Sequence, residues 1–212
     1  WSSDVCSSDL LSEKEFKQSY LKLRTEGLIQ TGEQLNIEIN DDDVPTNYDW
    51  RDHGAVSSVK NQGICGSSWA FSTTGNIESL IAIKTGVITQ LSESQILDCD
   101  NVNLGWEGGW VHQAMIYVKN NGIESENDYP YKPLKRNCKH DESKVAVRID
   151  GYKFITNRQP RDEDEIKAIL YQNGPLSVAV DAGSFQFYTG GIFDLECSKI
   201  LLNHAVLIVG YG

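Results

Sequence analysis

The chain has 212 residues, 40% of them apolar, enough to bury a sizeable core as one or two globular units and too apolar for a disordered polymer. Its formal net charge is −11, with the acidic excess concentrated ahead of residue 45. A surplus of that sign argues against nucleic acid or an anionic membrane as a partner.

Trp1–Leu10 reads as the translation of a common DNA-sequencing adapter, so it is set aside and Cys6 is left out of the disulfide count. Ser12 and Glu15 form a capping pattern ahead of Phe16, Tyr20, Leu21 and Leu23, which share a short helical spacing. Asp41-Asp42-Asp43 before Val44-Pro45 reads as a solvated charge run in a linker. A helix is predicted from Ser68 to about Lys84, with Ile77, Leu80 and Ile81 on one face and Gly86 as its stop. Ser92 and Gln95 predict a capping box for a second helix. Val111, Ala114, Met115 and Val118 predict a third, ended by Gly122. After a loop-rich stretch over 123–160, Asp162 to Tyr171 reads as a short helix followed by Gly174-Pro175. Residues 176–180 and 205–209 read as strands rich in β-branched side chains. Helices first and strands later predict an α+β arrangement in two lobes. His53, His112 and His140 show no metal-ligand spacing and no phosphate loop is present, so neither a metal nor another cofactor is implied.

The segment Gln62-Gly63-Ile64-Cys65-Gly66-Ser67-Ser68-Trp69-Ala70-Phe71 says most about function. It resembles the signature Cys-Gly-Ser/Ala-Cys-Trp/Tyr of papain-like cysteine peptidases, in which a histidine follows about 130–150 residues later. Cys65 fills the first cysteine, Ser68 stands where the nucleophilic cysteine belongs, and His204 lies 136 residues further on. Asn47–Arg51, Val59–Gly63, Leu91–Asp100, Glu107–Gly109, Tyr129–Tyr131, Gly190–Phe193 and Asn203–Gly212 continue the resemblance in family order, pointing to the cathepsin L-like branch.

That resemblance implies an α+β, papain-like two-lobed fold, a helical left lobe plus a β-barrel right lobe. Residues 45–212 would be the peptidase domain and residues 11–44 a propeptide remnant and linker. The family continues into an Asn-Ser-Trp-Gly segment, so the barrel is expected to be incomplete at the C-terminus. No cofactor is implied. The implied partners are a peptide or protein substrate, the propeptide and cystatin-type inhibitors, with no nucleic acid, no membrane and a monomeric chain.

Papain-type acyl transfer needs a thiolate, a histidine that keeps it ionised and then protonates the leaving amine, and donors for the oxyanion. The resemblance assigns Gln62 to the oxyanion hole, Ser68 to the nucleophile position and His204 to the base. The free N–H groups and positive dipole end of a helix lower a thiol's pKa from about 8.5. A serine hydroxyl starts far higher, so the same surroundings cannot ionise it. The chain as written is therefore expected to be an inactive form of a cysteine-type endopeptidase; the alternative is a non-catalytic homologue that binds peptides or inhibitors. Gly66 and Gly109 are implied to hydrogen-bond an extended peptide. Trp110, Val111, Ala179, Leu202 and Ala205 are implied to line the apolar pocket for the side chain two residues before the scissile bond. For Val111 the helical spacing suits plain core equally well.

The same resemblance pairs Cys99 with Cys138. It leaves Cys65 without a partner, because Trp106 stands at the matching place, and Cys197 too, whose partner would lie beyond Gly212. Disulfide use of this kind places the family in the lysosome or outside the cell.

Overall fold

The computed structural model describes residues 11–24, 33–35, 44–134, 136–155, 163–194, 197–198 and 201–212. The adapter-like Trp1–Leu10, the acidic run Asp41–Asp43 and Asp162 lie outside the described residues.

The chain opens with α1 (Glu13–Tyr20), whose capping box is complete: Ser12 Oγ accepts from the Glu15 N–H at 3.3 Å and Glu15 Oε2 accepts from the Ser12 N–H at 2.9 Å. Phe16 is its buried residue and stacks on Tyr20 with ring centroids 5.3 Å apart. Leu21 and Leu23, expected on the same helical face, lie beyond it. The helix stops because the Leu23 N–H is taken by the Asn203 carbonyl at 3.0 Å, a tertiary partner that outcompetes local spacing.

The first lobe is built around α2 (Ser68–Thr85), with Trp69, Ala70, Ile77 and Ala82 buried. Gly86 closes it in the left-handed region at φ 75, its N–H returning to the Ala82 carbonyl at 2.8 Å. Leu80, predicted on the inner face, is 42% exposed. Small polar residues Ser72, Thr73, Thr74 and Ser79 are buried instead, so the inner face is wider than the apolar spacing indicates.

Helix α3 (Glu93–Cys99) is buried at every position. Ser92 caps it by accepting from the Gln95 N–H at 2.9 Å, but the reciprocal half of the expected box is not made. The Gln95 amide is engaged elsewhere: it donates to the Gly122 carbonyl at 3.2 Å and accepts from the Glu124 N–H at 2.7 Å. Helix α4 (Val111–Asn121) buries Ala114, Met115 and Val118 against α2 and α3, completing one apolar core.

The short strands β1 (Tyr48–Asp49), β2 (Ile123–Glu124) and β3 (Val145–Val147) are followed by α5 (Glu163–Asn173), β4 (Leu176–Val180), β5 (His204–Ile208) and β6 (Gly210–Tyr211). Antiparallel β4–β5 runs in register from Leu176↔Ile208 to Val180↔His204, while β1 pairs with β6 and β2 with β3. Among the described residues these are separate two-stranded ladders, and no barrel closes. Ser72 Oγ donates to the Val206 carbonyl at 2.9 Å and Ser177 Oγ to the Ser72 carbonyl at 2.9 Å, stitching β5 and β4 onto α2. A smaller core of Ile169, Leu170 and Leu176 lies on this side.

Cys99 and Cys138 are joined, whereas Cys65 is a buried free thiol and Cys197 an exposed one. Under α2 and α3, Lys60 Nζ lies 2.5 Å from both Glu78 Oε1 and Glu93 Oε1. Thr74 donates to Glu93 at 2.5 Å, and the Leu91 N–H and Ser57 hydroxyl donate to Glu78 at 2.7 and 2.8 Å. Burial pushes the Glu93 carboxyl up to about 7 despite the ammonium beside it.

Candidate active site

Residues 62–67 bend tightly into α2, and Tyr131 holds the bend. Its hydroxyl donates to the Gln62 carbonyl at 2.7 Å and shares a 2.9 Å hydrogen bond with Ser67 Oγ. Ser68 thereby becomes the first residue of α2, where backbone N–H groups have no intrahelical acceptor. From the other wall, β5 begins at His204, and the Ala205 N–H donates to Ser68 Oγ at 3.2 Å. Ser68 is therefore held against the residue that follows His204, 137 positions away in the chain. Asn203, beside the histidine, is pinned by donating to Asp181 Oδ1 and accepting from the Ala182 N–H, both at 2.9 Å.

His204 is 7% exposed, and burial pushes its imidazole down to about 4. It is therefore neutral at pH 7. The linkage sign follows: the unfolded chain takes up this proton near 6.5 and the folded chain only near 4. The associated stability is full above pH 6.5 and lost as pH falls toward 4, about 3 kcal/mol in all. Urea unfolding at pH 7 and pH 4 is expected to show that much extra acid destabilisation in the unsubstituted chain relative to His204→Gln. Equal acid sensitivity of the two proteins would refute the assignment.

Between these walls runs the chain's own N-terminal segment. The Leu23 N–H donates to the Asn203 carbonyl on the strand side at 3.0 Å, and the Arg24 N–H to the Gly109 carbonyl on the helical side at 3.1 Å; Leu23 and Gly109 form a parallel bridge. Gly66 and Gly109 are thus both groove residues. A Cβ at Gly66 would fall 2.6 Å from Lys22 Cβ, and one at Gly108 would overlap the Lys22 carbonyl, so the close approach requires glycine. The Gln62 amide donates to the Cys65 carbonyl at 2.6 Å and reaches the Tyr20 carbonyl at 3.4 Å. Upstream, Gln186 Nε2 donates to the Leu11 carbonyl at 2.7 Å, anchoring the start of α1 on the second lobe.

Of the residues expected to line the pocket, Val111 lies half-buried against the first-lobe core, and Leu23 of the resident segment packs on the same core. Trp110 carries the Arg24 guanidinium over its ring at 4.3 Å. Ala179 and Ala205 face each other across the β4–β5 ladder, and Leu202 directly precedes the Asn203 acceptor, placing all three on the strand side. Sequence reasoning missed Glu107, which accepts from Lys22 Nζ at 3.2 Å, and the staple role of Tyr131. An acidic residue among glycines 105, 108 and 109 was a usable signal for the first; nothing local marked the second.

A two-lobed α+β fold in which the N-terminus of α2 bonds the strand that begins at His204, with an extended segment between the two walls, defines the papain-like class. The sequence pattern described as papain family cysteine protease matches residues 44–212, and the chain belongs to that family. It is 44% identical over 211 residues to cysteine protease XCP2 of Arabidopsis thaliana, covering 95% of this chain and 58% of that protein. With digestive cysteine proteinase 1 of Homarus americanus the identity is 44% over 174 residues, 79% of this chain and 53% of that one. The structure of digestive procathepsin L2 proteinase from Tenebrio molitor larval midgut superposes with a TM-score of 0.85 at 40% identity, over 95% of this chain and 67% of that chain. The chain thus spans little more than half the length of these curated relatives.

Proposed function

We propose that this is the peptidase domain of a cathepsin L-like cysteine endopeptidase preceded by a propeptide remnant (residues 11–44) whose Lys22–Arg24 run lies in the substrate groove, and that with serine at position 68 it binds peptides without cleaving them. The observation that carries this reading is the extended run Lys22-Leu23-Arg24, hydrogen-bonded to Asn203 on one wall and Gly109 on the other, beside Ser68 and His204. The groove already holds a peptide. The likeness to a procathepsin supports calling that peptide a propeptide.

In the thiol form of such a site, the thiolate attacks the scissile carbonyl carbon, and the Gln62 amide with the residue-68 N–H stabilises the oxyanion. The imidazolium of His204 then protonates the leaving amine, and water hydrolyses the acyl-thioester. With Ser68 the first step fails. The hydroxyl must lose its proton to a neutral imidazole whose basicity burial has lowered to about 4. Peptide or protein substrates, cystatin-type inhibitors and a lysosomal or extracellular setting go with this assignment, the last supported by the Cys99–Cys138 bridge.

The test uses the full chain with Leu23→Asp, which drives a carboxylate out of the apolar site and unseats the resident segment. With Ser68 kept, a fluorogenic peptide with leucine two residues before the scissile bond is expected to bind but not turn over. Adding Ser68→Cys is expected to give covalent labelling by a peptidyl epoxide, at position 68. Turnover by the Ser68 form equal to that of the Ser68→Cys form would overturn the reading.

A further inference from the structure

We propose that the groove selects peptides with a basic side chain on each side of an apolar one, and that Glu107 and Trp110 are the residues that read the two charges; this rests on the groove assignment above. Three consecutive residues of the resident segment make three different contacts. Lys22 lays its aliphatic stem on Gly66 and brings its ammonium 3.2 Å from the Glu107 carboxylate. Leu23 packs against the edge of the first-lobe core. Arg24 places its guanidinium 4.3 Å over the Trp110 ring. Glu107 and Trp110, three positions apart on the first lobe, thus take the two cations that stand on either side of Leu23 in the segment.

That wall is held by hydrogen bonds of its own. The Trp110 backbone N–H donates to Asn103 Oδ1 at 2.8 Å, and the Trp69 indole donates to the Gly105 carbonyl at 3.2 Å, tying both ends of the 105–110 stretch. Preformed positions cost less ordering on binding. Basic–apolar–basic is symmetric about its centre, so the requirement holds whichever way a peptide runs. Lys22 keeps only 26% of its side chain exposed while Glu107 keeps 58%, so solvent screens this pair partly and its effect is modest. A cation over the part-buried Trp110 indole is of similar strength. Each contact is expected to change affinity about two- to fivefold, and both together about tenfold.

The experiment measures fluorescence anisotropy of two labelled pentapeptides, Gly-Arg-Leu-Arg-Gly and Gly-Gln-Leu-Gln-Gly, on the full chain carrying Leu23→Asp. Arginine flanks are expected to tighten binding about tenfold, with Glu107→Gln and Trp110→Leu each reducing that ratio about threefold. Equal affinity of the two peptides, together with loss of binding when the central leucine is replaced by aspartate, would overturn charge selection while leaving the groove intact. Failure of all three peptides to bind would overturn the groove assignment with it. If Leu23→Asp does not fold, the same ratio is read on the unsubstituted chain as the peptide concentration that accelerates hydrogen exchange at the Leu23 and Arg24 amides. Acceleration at equal concentrations of the two peptides would again refute the proposal.

Discussion

In the Ser68→Cys protein, His204 is expected to titrate far above its present value of about 4, and the introduced thiol far below about 8.5. The histidine is depressed now because it is buried, and desolvation disfavours its charged form. Ser68 offers a neutral hydroxyl that accepts from the Ala205 N–H and no negative charge to offset that cost. A thiolate at the N-terminus of α2 supplies one, and the dipole end of the helix favours it. Two unit charges about 4 Å apart attract by about 4 kcal/mol at an effective dielectric near 20, close to a thousandfold in a protonation equilibrium. The attraction raises the imidazole and lowers the thiol together, because each charge stabilises the other. Histidine NMR titration and thiolate ultraviolet absorbance follow the two groups separately. A His204 that stays near 4 beside a thiol titrating near 8.5 would show that the site does not assemble an ion pair.

Lys60→Met is expected to destabilise the fold by about 3–5 kcal/mol, the usual cost of stranding buried charge. Glu78 and Glu93 are 1% and 2% exposed at their side chains, and one ammonium touches both. Removing it leaves two carboxylates in one closed space, so Glu93, already up at about 7 through burial, must rise further. The damage should therefore grow with pH as the folded protein is forced to ionise a group it prefers to keep protonated. Combining Lys60→Met with Glu78→Gln and Glu93→Gln should recover most of the loss, since no charge is then stranded. Urea unfolding of the single and triple variants decides; a single variant within about 1 kcal/mol of the parent would mean that water reaches the cluster.

The sequence by itself carried what is local or fixed by chain order. Gly86 stops α2 because a left-handed position there suits glycine, and Ser12 with Glu15 is a complete start signal within four residues. The Cys65–Trp69 signature with His204 far downstream marked the family, and it named Ser68 and His204 as the candidate site on which the proposed change of chemistry rests. Only the tertiary structure decided what depends on partners distant in sequence. Leu23 leaves the helical pattern because the Asn203 carbonyl captures its N–H, and Lys22 finds Glu107 across 85 positions. Gln95 forgoes its capping role because Gly122 and Glu124 surround its amide. The neutrality of His204 has the same origin. A histidine's charge is set by how completely the folded chain excludes water around it, and in this protein α2, β4 and the N-terminal segment together close the site at which it sits.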